Sequence, residues 1–207
     1  MLENALIVLG GYLIGSIPFG VVVVRVFRHE DIREQGSGNI GASNVWRSYG
    51  RGLGVPVALL DVVKGFVPAF VGVKLGGEWV GVLAGAAAML GHARPIWLGF
   101  SKGGKMVATG GGVALALAPA AAALCLVVFL ATLLLFRFAS LASLVTAVAL
   151  PLLCVVLGEP AATVIFTSAA CVAVFFLHRQ NIRRLLHGTE PRFARRRGSS
   201  SGVSRNV

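Results

Sequence analysis

Three glycine-rich polar segments interrupt an otherwise apolar sequence, and each carries residue types suited to gripping phosphate. The first, Gly36-Ser37-Gly38-Asn39-Ile40-Gly41-Ala42-Ser43-Asn44-Val45-Trp46-Arg47, offers small residues whose backbone N–H groups can converge into an anion-binding nest. Arg47 can hold a phosphate through two parallel hydrogen bonds. The segment formally contains GxGxxG, but the charged stretch His29-Glu30-Asp31-Ile32-Arg33-Glu34 precedes it where a dinucleotide fold needs a strand. A nucleotide-binding turn is therefore excluded, and a plain inter-helix loop is the alternative to an anion nest.

The second segment runs from Gly91 to Thr109, and within it Gly99 to Lys105 fits GxxxxGK. Met106 stands where a P-loop needs the hydroxyl that holds magnesium, no strand precedes the glycines, and no second acidic motif follows. That excludes a nucleotide hydrolase and leaves a glycine loop presenting Lys105 at the start of a helix, whose N-terminal end adds positive potential for phosphate. The third segment is His178-Arg179-Gln180-Asn181-Ile182-Arg183-Arg184-Leu185-Leu186-His187-Gly188-Thr189-Glu190. If the last apolar helix continues through it, His178, Asn181 and Leu185 share one face by i, i+3, i+7 spacing. Arg183 and Arg184 read as side chains that snorkel to lipid headgroups, and His187 as a solvated helix end. Asp61 and Lys64, an i, i+3 pair inside an apolar run, read as a structural ion pair facing the interior.

Absent motifs narrow the chemistry further. No GxSxG nucleophile elbow occurs, and neither His92 nor His178 has an Asp five residues on, since those positions are Trp97 and Arg183. Cys125, Cys154 and Cys171 lie in apolar runs without CxxC spacing, so they read as small buried hydrophobes and not as a disulfide framework or metal site. No metal is expected.

The elements that must position these segments are membrane helices. Of 207 residues, 56% are hydrophobic and only 13% charged, with mean hydropathy +0.82, whereas a soluble domain of this size carries about 25% charged residues. Apolar runs cover Ala5–Val26, Leu53–Val73, Trp79–Leu90, Val107–Phe136, Phe138–Leu157 and Ala161–Leu177, set against the roughly 20 residues needed to cross a bilayer. The run from Val107 to Phe136 is too long for one ordinary span, and Pro119 near its middle divides it into two short or tilted helices. Glu3 is followed by no Lys or Arg before Arg25, so the basic start of a cleaved signal peptide is missing and Ala5 to Val24 reads as a retained first span.

Arg25, Arg28, Arg33, Arg47 and Arg51 crowd the first loop, Arg94, Lys102 and Lys105 the third, and residues 178–207 carry a net +7. The positive-inside rule puts these regions, with Arg137, in the cytoplasm, and Glu3, Lys74, Glu78 and Glu159 on the opposite side. The expectation is an all-α polytopic membrane bundle of about seven transmembrane helices, N-terminus outside and C-terminus cytoplasmic. A five-span arrangement, with the second or fourth segment re-entrant, is the alternative. Residues 1–191 form one integral membrane domain, and residues 192–207 a basic, disordered tail attracted to anionic lipid. The net charge of +11 thus points to anionic lipid and phosphate, not to nucleic acid.

Taken in order, Ser37-Gly38-Asn39-x-Gly41-Ala42-x-Asn44-x-x-Arg47, Gly91-His92-x-x-Pro95 through Phe100-x-x-Gly103-Gly104-Lys105-x-x-Ala108-Thr109, and His178-x-x-Asn181-Ile182-x-Arg184-Leu185-x-x-Gly188-x-Glu190 resemble the three cytoplasmic motifs of the PlsY family. Gly15-Ser16-Ile17-Pro18 and Asp61-x-x-Lys64-Gly65 extend the resemblance over nearly the whole chain. These are bacterial inner-membrane acyltransferases that use acyl phosphate and glycerol 3-phosphate. The resemblance implies acylation of the 1-position of glycerol 3-phosphate, giving lysophosphatidic acid and phosphate, without acyl-CoA, acyl-carrier protein or a cofactor.

It further implies that Ser37 and neighbouring amides hold the acyl-phosphate headgroup or the oxyanion, with Arg47 and Lys105 neutralising phosphate. His178 and Asn181 orient the glycerol hydroxyl or phosphate. Gly38, Asn39, Gly41, Asn44, Gly103, Gly104 and Thr109 join the substrate-binding set, Ser43 and Ser143 add polar contacts to glycerol 3-phosphate, and Glu190 is structural. Two positions depart from the pattern: Met106 stands where Gly is usual, and Leu177 where Arg is common. Non-enzymatic alternatives are a small transporter or channel for anionic metabolites, which needs polar residues through the midplane and internal symmetry, and a lipid-binding subunit. The one-sided polarity of this sequence favours chemistry at a single leaflet.

Overall fold

The computed structural model describes residues 1–193, so the basic tail expected at 192–207 lies almost wholly outside the described residues. Ten α-helices are present among them: α1 (Leu2–Gly15), α2 (Phe19–Arg28), α3 (Ala42–Tyr49), α4 (Arg51–Gly76), α5 (Glu78–Ala93), α6 (Val107–Leu117), α7 (Pro119–Phe136), α8 (Ala139–Val156), α9 (Ala161–Leu177) and α10 (Arg179–Leu186). The long α4 is the axis of one group, packing against α1, α2, α3, α5 and α6. A second group, α7, α8 and α9, joins it through α6 and α5.

The expected division at Pro119 is present, with Ala118 between α6 and α7. Two helix breaks refine the expected spans. The first apolar run is not one continuous helix: α1 stops at Gly15 and α2 starts at Phe19, because Pro18 has no N–H to continue the ladder. The last helix does not run straight into the third polar segment either, since α9 and α10 are bent by 61° at His178. His178 sits at that bend as the N-cap of α10, its carbonyl accepting the Ile182 N–H at 2.9 Å, and it is buried as Asn181 is.

Among the described residues, four helical stretches are long and apolar enough to cross a membrane: Leu2–Arg28 taken across its break, α4, α7 and α8. The bent pair α9–α10 makes a fifth. Helices α5 and α6, with 16 and 11 residues, were counted among the expected seven spans but fall short of full crossing length.

Lipid tails are as apolar as leucine, so helices in a bilayer associate through close packing more than through the hydrophobic effect. Glycine supplies that closeness here. A Cβ at Gly11 or Gly15 would overlap the α5 backbone at Ala84 or Ala88, and one at Gly65 or Gly112 would overlap the facing backbone of the α4–α6 contact. The polar segments are held by apolar anchors: Ile32, Ile40 and Val45, all essentially buried, pack with Val24 and Val57 and fasten the first segment to α2 and α4.

Candidate functional site

The first polar segment folds around one side chain. Asn44 is buried on α3; its Oδ1 accepts a hydrogen bond from the Ser37 N–H at 3.0 Å, and its Nδ2 donates to the carbonyls of Gln35 and Asn39, each at 2.9 Å. Gly36 and Gly38 take positive φ (58° and 68°), the left-handed geometry that lets the chain curl about that amide. The curl leaves Ser37 and Ser43 exposed and Arg47 half-buried one helical turn beyond Ser43.

Asn39 joins this loop to the second. Its Oδ1 accepts from the Gly41 N–H at 2.9 Å, while its Nδ2 donates to the Gly103 carbonyl at 3.1 Å, across 64 residues of sequence. The second loop reaches α6 through Met106, which has φ 66° and lies buried in the core. A left-handed residue without glycine's freedom is uncommon, so the departure from the usual glycine keeps the turn but adds local strain. Lys105 thus sits immediately before the N-terminus of α6.

The third segment meets the second through Lys105, whose Nζ donates to Asn181 Oδ1 at 2.6 Å. Asn181 Nδ2 in turn donates to Glu190 Oε1 at 2.7 Å, and Arg184 Nε donates to Glu190 Oε2 at 2.7 Å. Arg184, expected to snorkel, is instead tied into this chain; the carboxylate six residues on was the available signal. His178 is buried, and its Nδ1 lies 2.8 Å from the Val174 carbonyl. A carbonyl only accepts, so Nδ1 carries the hydrogen and Nε2 of the neutral ring is left with its lone pair.

Electrostatics follow from this crowding of cations. Burial lowers the Lys105 pKa from 10.5 to about 8, with Glu190 pulling it up and Arg184, Arg47 and Lys102 pushing it down. Burial also depresses Arg47, against the attraction of Glu190. Burial works against the charge on Glu190, but hydrogen bonds from Asn181 and Arg184 help hold its carboxyl below the usual range. One carboxylate thus faces a surplus of positive charge, which is the condition for binding an anion.

Two other expected site residues lie deeper. Ser143 is buried and its hydroxyl donates to the Ala139 carbonyl at 2.7 Å. Thr109 is fully buried where α6 meets Gly65 of α4. Ser143 lies in an apolar cavity between α6, α7, α8 and α9, lined also by Met106, Ala114, Cys125, Leu150 and Phe166. The distal turns of the C-terminal stretch are pinned as well, with Phe193 edge-on to Trp46 at 5.5 Å and Arg137 Nη2 donating to the Phe193 carbonyl at 2.8 Å.

Residues 5–188 match the family model described as glycerol-3-phosphate acyltransferase. The chain is 44% identical over 187 residues to a glycerol-3-phosphate acyltransferase of Parasynechococcus marenigrum, covering 90% of this chain and 88% of that protein. It is 46% identical over 180 residues to one of Mesorhizobium japonicum, covering 87% and 91%. Among solved structures it resembles a crystal structure of PlsY, an integral membrane glycerol 3-phosphate acyltransferase in its glycerol 3-phosphate form, with TM-score 0.89 and 41% identity over 93% of this chain and 96% of that one. The lysophosphatidic acid form of PlsY matches with TM-score 0.86 and 40% identity, over the same shares.

Proposed function

Because this chain belongs to the PlsY-type family of integral-membrane glycerol-3-phosphate acyltransferases, we propose that it moves a fatty acyl group from acyl phosphate to the 1-hydroxyl of glycerol 3-phosphate. The products are lysophosphatidic acid and inorganic phosphate. One observation carries this reading: residues 37–47, 103–105 and 178–190 are joined by the Asn39–Gly103 and Lys105–Asn181 hydrogen bonds into one cation-rich site. Both substrates carry phosphate, and the first and second segments supply Arg47 and Lys105 as cations to hold it.

The reaction needs no acyl-enzyme. The glycerol hydroxyl oxygen attacks the carbonyl carbon of the mixed anhydride, the carbon–oxygen bond to phosphate breaks, and the hydroxyl proton leaves with the departing phosphate. Ser37 meets the oxyanion or the acyl-phosphate headgroup through its exposed hydroxyl, because the Ser37, Gly38 and Gly41 N–H groups are taken up by Asn44, Gln35 and Asn39; Arg47 and Lys105 neutralise phosphate. Fixed donors aimed at developing charge commonly supply the largest share of an enzymatic rate enhancement. His178 Nε2 orients the glycerol hydroxyl by accepting its hydrogen bond, and stands as the competing proton acceptor. Asn44 and Asn39 shape the loops, and Asn181 and Glu190 set Lys105. The apolar cavity behind Met106 and Ser143 takes the acyl chain, so Ser143 lines the route to the site and Thr109 supports α6.

Purified protein incubated with palmitoyl phosphate and glycerol 3-phosphate is expected to release phosphate only when both are present, and to be inactive with palmitoyl-CoA. Phosphate release independent of glycerol 3-phosphate, or equal activity with the thioester, would overturn the assignment. An acyl group trapped on the protein in the absence of glycerol 3-phosphate would overturn direct transfer.

A further inference from the structure

Behind the second loop lies a buried charged group that the reaction does not use directly. Asp61 and Lys64 on α4 are each 2% exposed, and His92 on α5 is 3% exposed. Lys64 Nζ is 2.7 Å from Asp61 Oδ1, and His92 Nδ1 is 3.7 Å from the same oxygen. Lys64 Nζ also donates to the Ile17 carbonyl at 2.8 Å, inside the break between α1 and α2. Charges at this depth are costly, and they are kept where they hold something in place or perform chemistry.

Of this group, His92 is the member that touches the glycine loop. The Gly103 N–H donates to the Ala93 carbonyl at 3.0 Å and the Gly104 N–H to the His92 carbonyl at 2.9 Å. Gly104 lies so close to the imidazole that a Cβ there would overlap the ring. Lys105, the next residue, is the one cation of this loop bonded to Asn181. We propose that His92, packed beside the Asp61–Lys64 pair without a hydrogen bond to it, is a positioning residue that sets the Gly103-Gly104 turn and through it the depth at which the Lys105 ammonium meets substrate phosphate. This inference rests on the reading that Lys105 holds a phosphate. It gives the isolated ion pair of α4 a purpose that pairing for stability alone does not supply.

The pH at which Lys105 loses its proton reports its depth, because burial is the main cause of its lowered pKa, with Glu190, Arg184, Arg47 and Lys102 as the charged neighbours, His178 nearby and Asn181 as its bonded partner. The test is kcat/KM against pH for His92→Ala, Gly104→Ala, the double variant and Lys105→Ala. His92→Ala removes the prop, and Gly104→Ala drives a methyl group into it; each is expected to lower kcat/KM at neutral pH about tenfold or more. Each is also expected to move the alkaline limb up by about one pH unit as Lys105 becomes better solvated. In the double variant the missing ring makes room for the methyl, so activity recovers relative to Gly104→Ala. An unshifted limb in either folded single variant, or a double variant no better than Gly104→Ala, would overturn the proposal. If His92→Ala yields no folded protein, Gly104→Ala alone decides by the same limb. A fully active Lys105→Ala would sink the underlying reading of the site; an inactive Lys105→Ala beside an unshifted His92→Ala would sink only the role of His92.

Discussion

Lys105 carries a charge that the proposed reaction needs and that burial opposes. With its pKa lowered to about 8, the free enzyme loses this ammonium as pH rises through that value, and kcat/KM is expected to fall on the alkaline side with a limb near 8. Arginine stays protonated far above that pH, so Lys105→Arg should displace the limb upward even if its absolute rate is lower; a limb that stays put would assign it to another group. For folding the sign reverses: between about 8 and 10.5 the unfolded chain retains a proton that the folded chain has released, so this group makes stability rise with pH across that window. Ser37 makes a different prediction. Its hydroxyl is exposed and its N–H is already bonded to Asn44, so Ser37→Ala removes one donor without collapsing the loop, and kcat should drop about 10²- to 10³-fold with an unchanged melting temperature. Full activity in that variant removes Ser37 from the chemistry.

At the scale of elements, the loop-to-helix junction at Met106 sets two known effects against each other. Its φ of 66° is left-handed, which for a residue with a side chain costs about 1–3 kcal/mol. The same side chain is 6% exposed and packs in the core with Ala69, Met89 and Phe166, and truncating a buried methionine costs about 2–5 kcal/mol. Packing outweighs strain, so Met106→Gly is expected to be net destabilising by about 2 kcal/mol despite matching the usual motif; a raised melting temperature in detergent would show that strain dominates. Met106 also illustrates what a sequence can and cannot say about such elements. Glycine spacing marked the loop, and Pro119 marked the division between α6 and α7, because each residue type acts on its own backbone. The break at Pro18 was covered by an unbroken apolar run, since hydropathy does not register a missing N–H. The bend at His178 has no proline or glycine to announce it. Asn44 and His92 looked like ordinary motif members because what distinguishes them, an amide serving three backbone groups and a ring beneath a glycine, exists only after distant segments meet.

At the scale of the whole molecule, the short α6 decides how the site sits in the bilayer. Its 11 residues give a length of about 16 Å, roughly half the 30 Å hydrocarbon thickness. The loop before it is nevertheless tied to the first polar segment through Asn39 and to the third through Lys105. We therefore propose that helices α5 and α6 are a descending and returning pair whose polar turn lies at or below the headgroup level, where a soluble phosphate ester and a membrane-embedded acyl chain can meet. Counting that pair as two crossings or as one re-entrant hairpin changes the proposed span number from seven to five, and either odd number would put the start of α1 and the end of α10 on opposite sides. By the positive-inside rule the proposed orientation puts Arg25, Arg33, Arg47 and Lys102 on the cytoplasmic face and Lys74 with Glu78 opposite. Lys74 and Lys102 are both exposed, so a cysteine at either site should react with a thiol reagent, whereas the native Cys125 and Cys154 are buried. In intact cells an impermeant maleimide is expected to label Lys74→Cys above the background of the unmodified chain, and to label Lys102→Cys only after the membrane is opened. Labelling of Lys102→Cys from outside would place the loop carrying Lys105 on the wrong face for a cytoplasmic supply of glycerol 3-phosphate, and the proposed orientation of the whole bundle would have to be inverted.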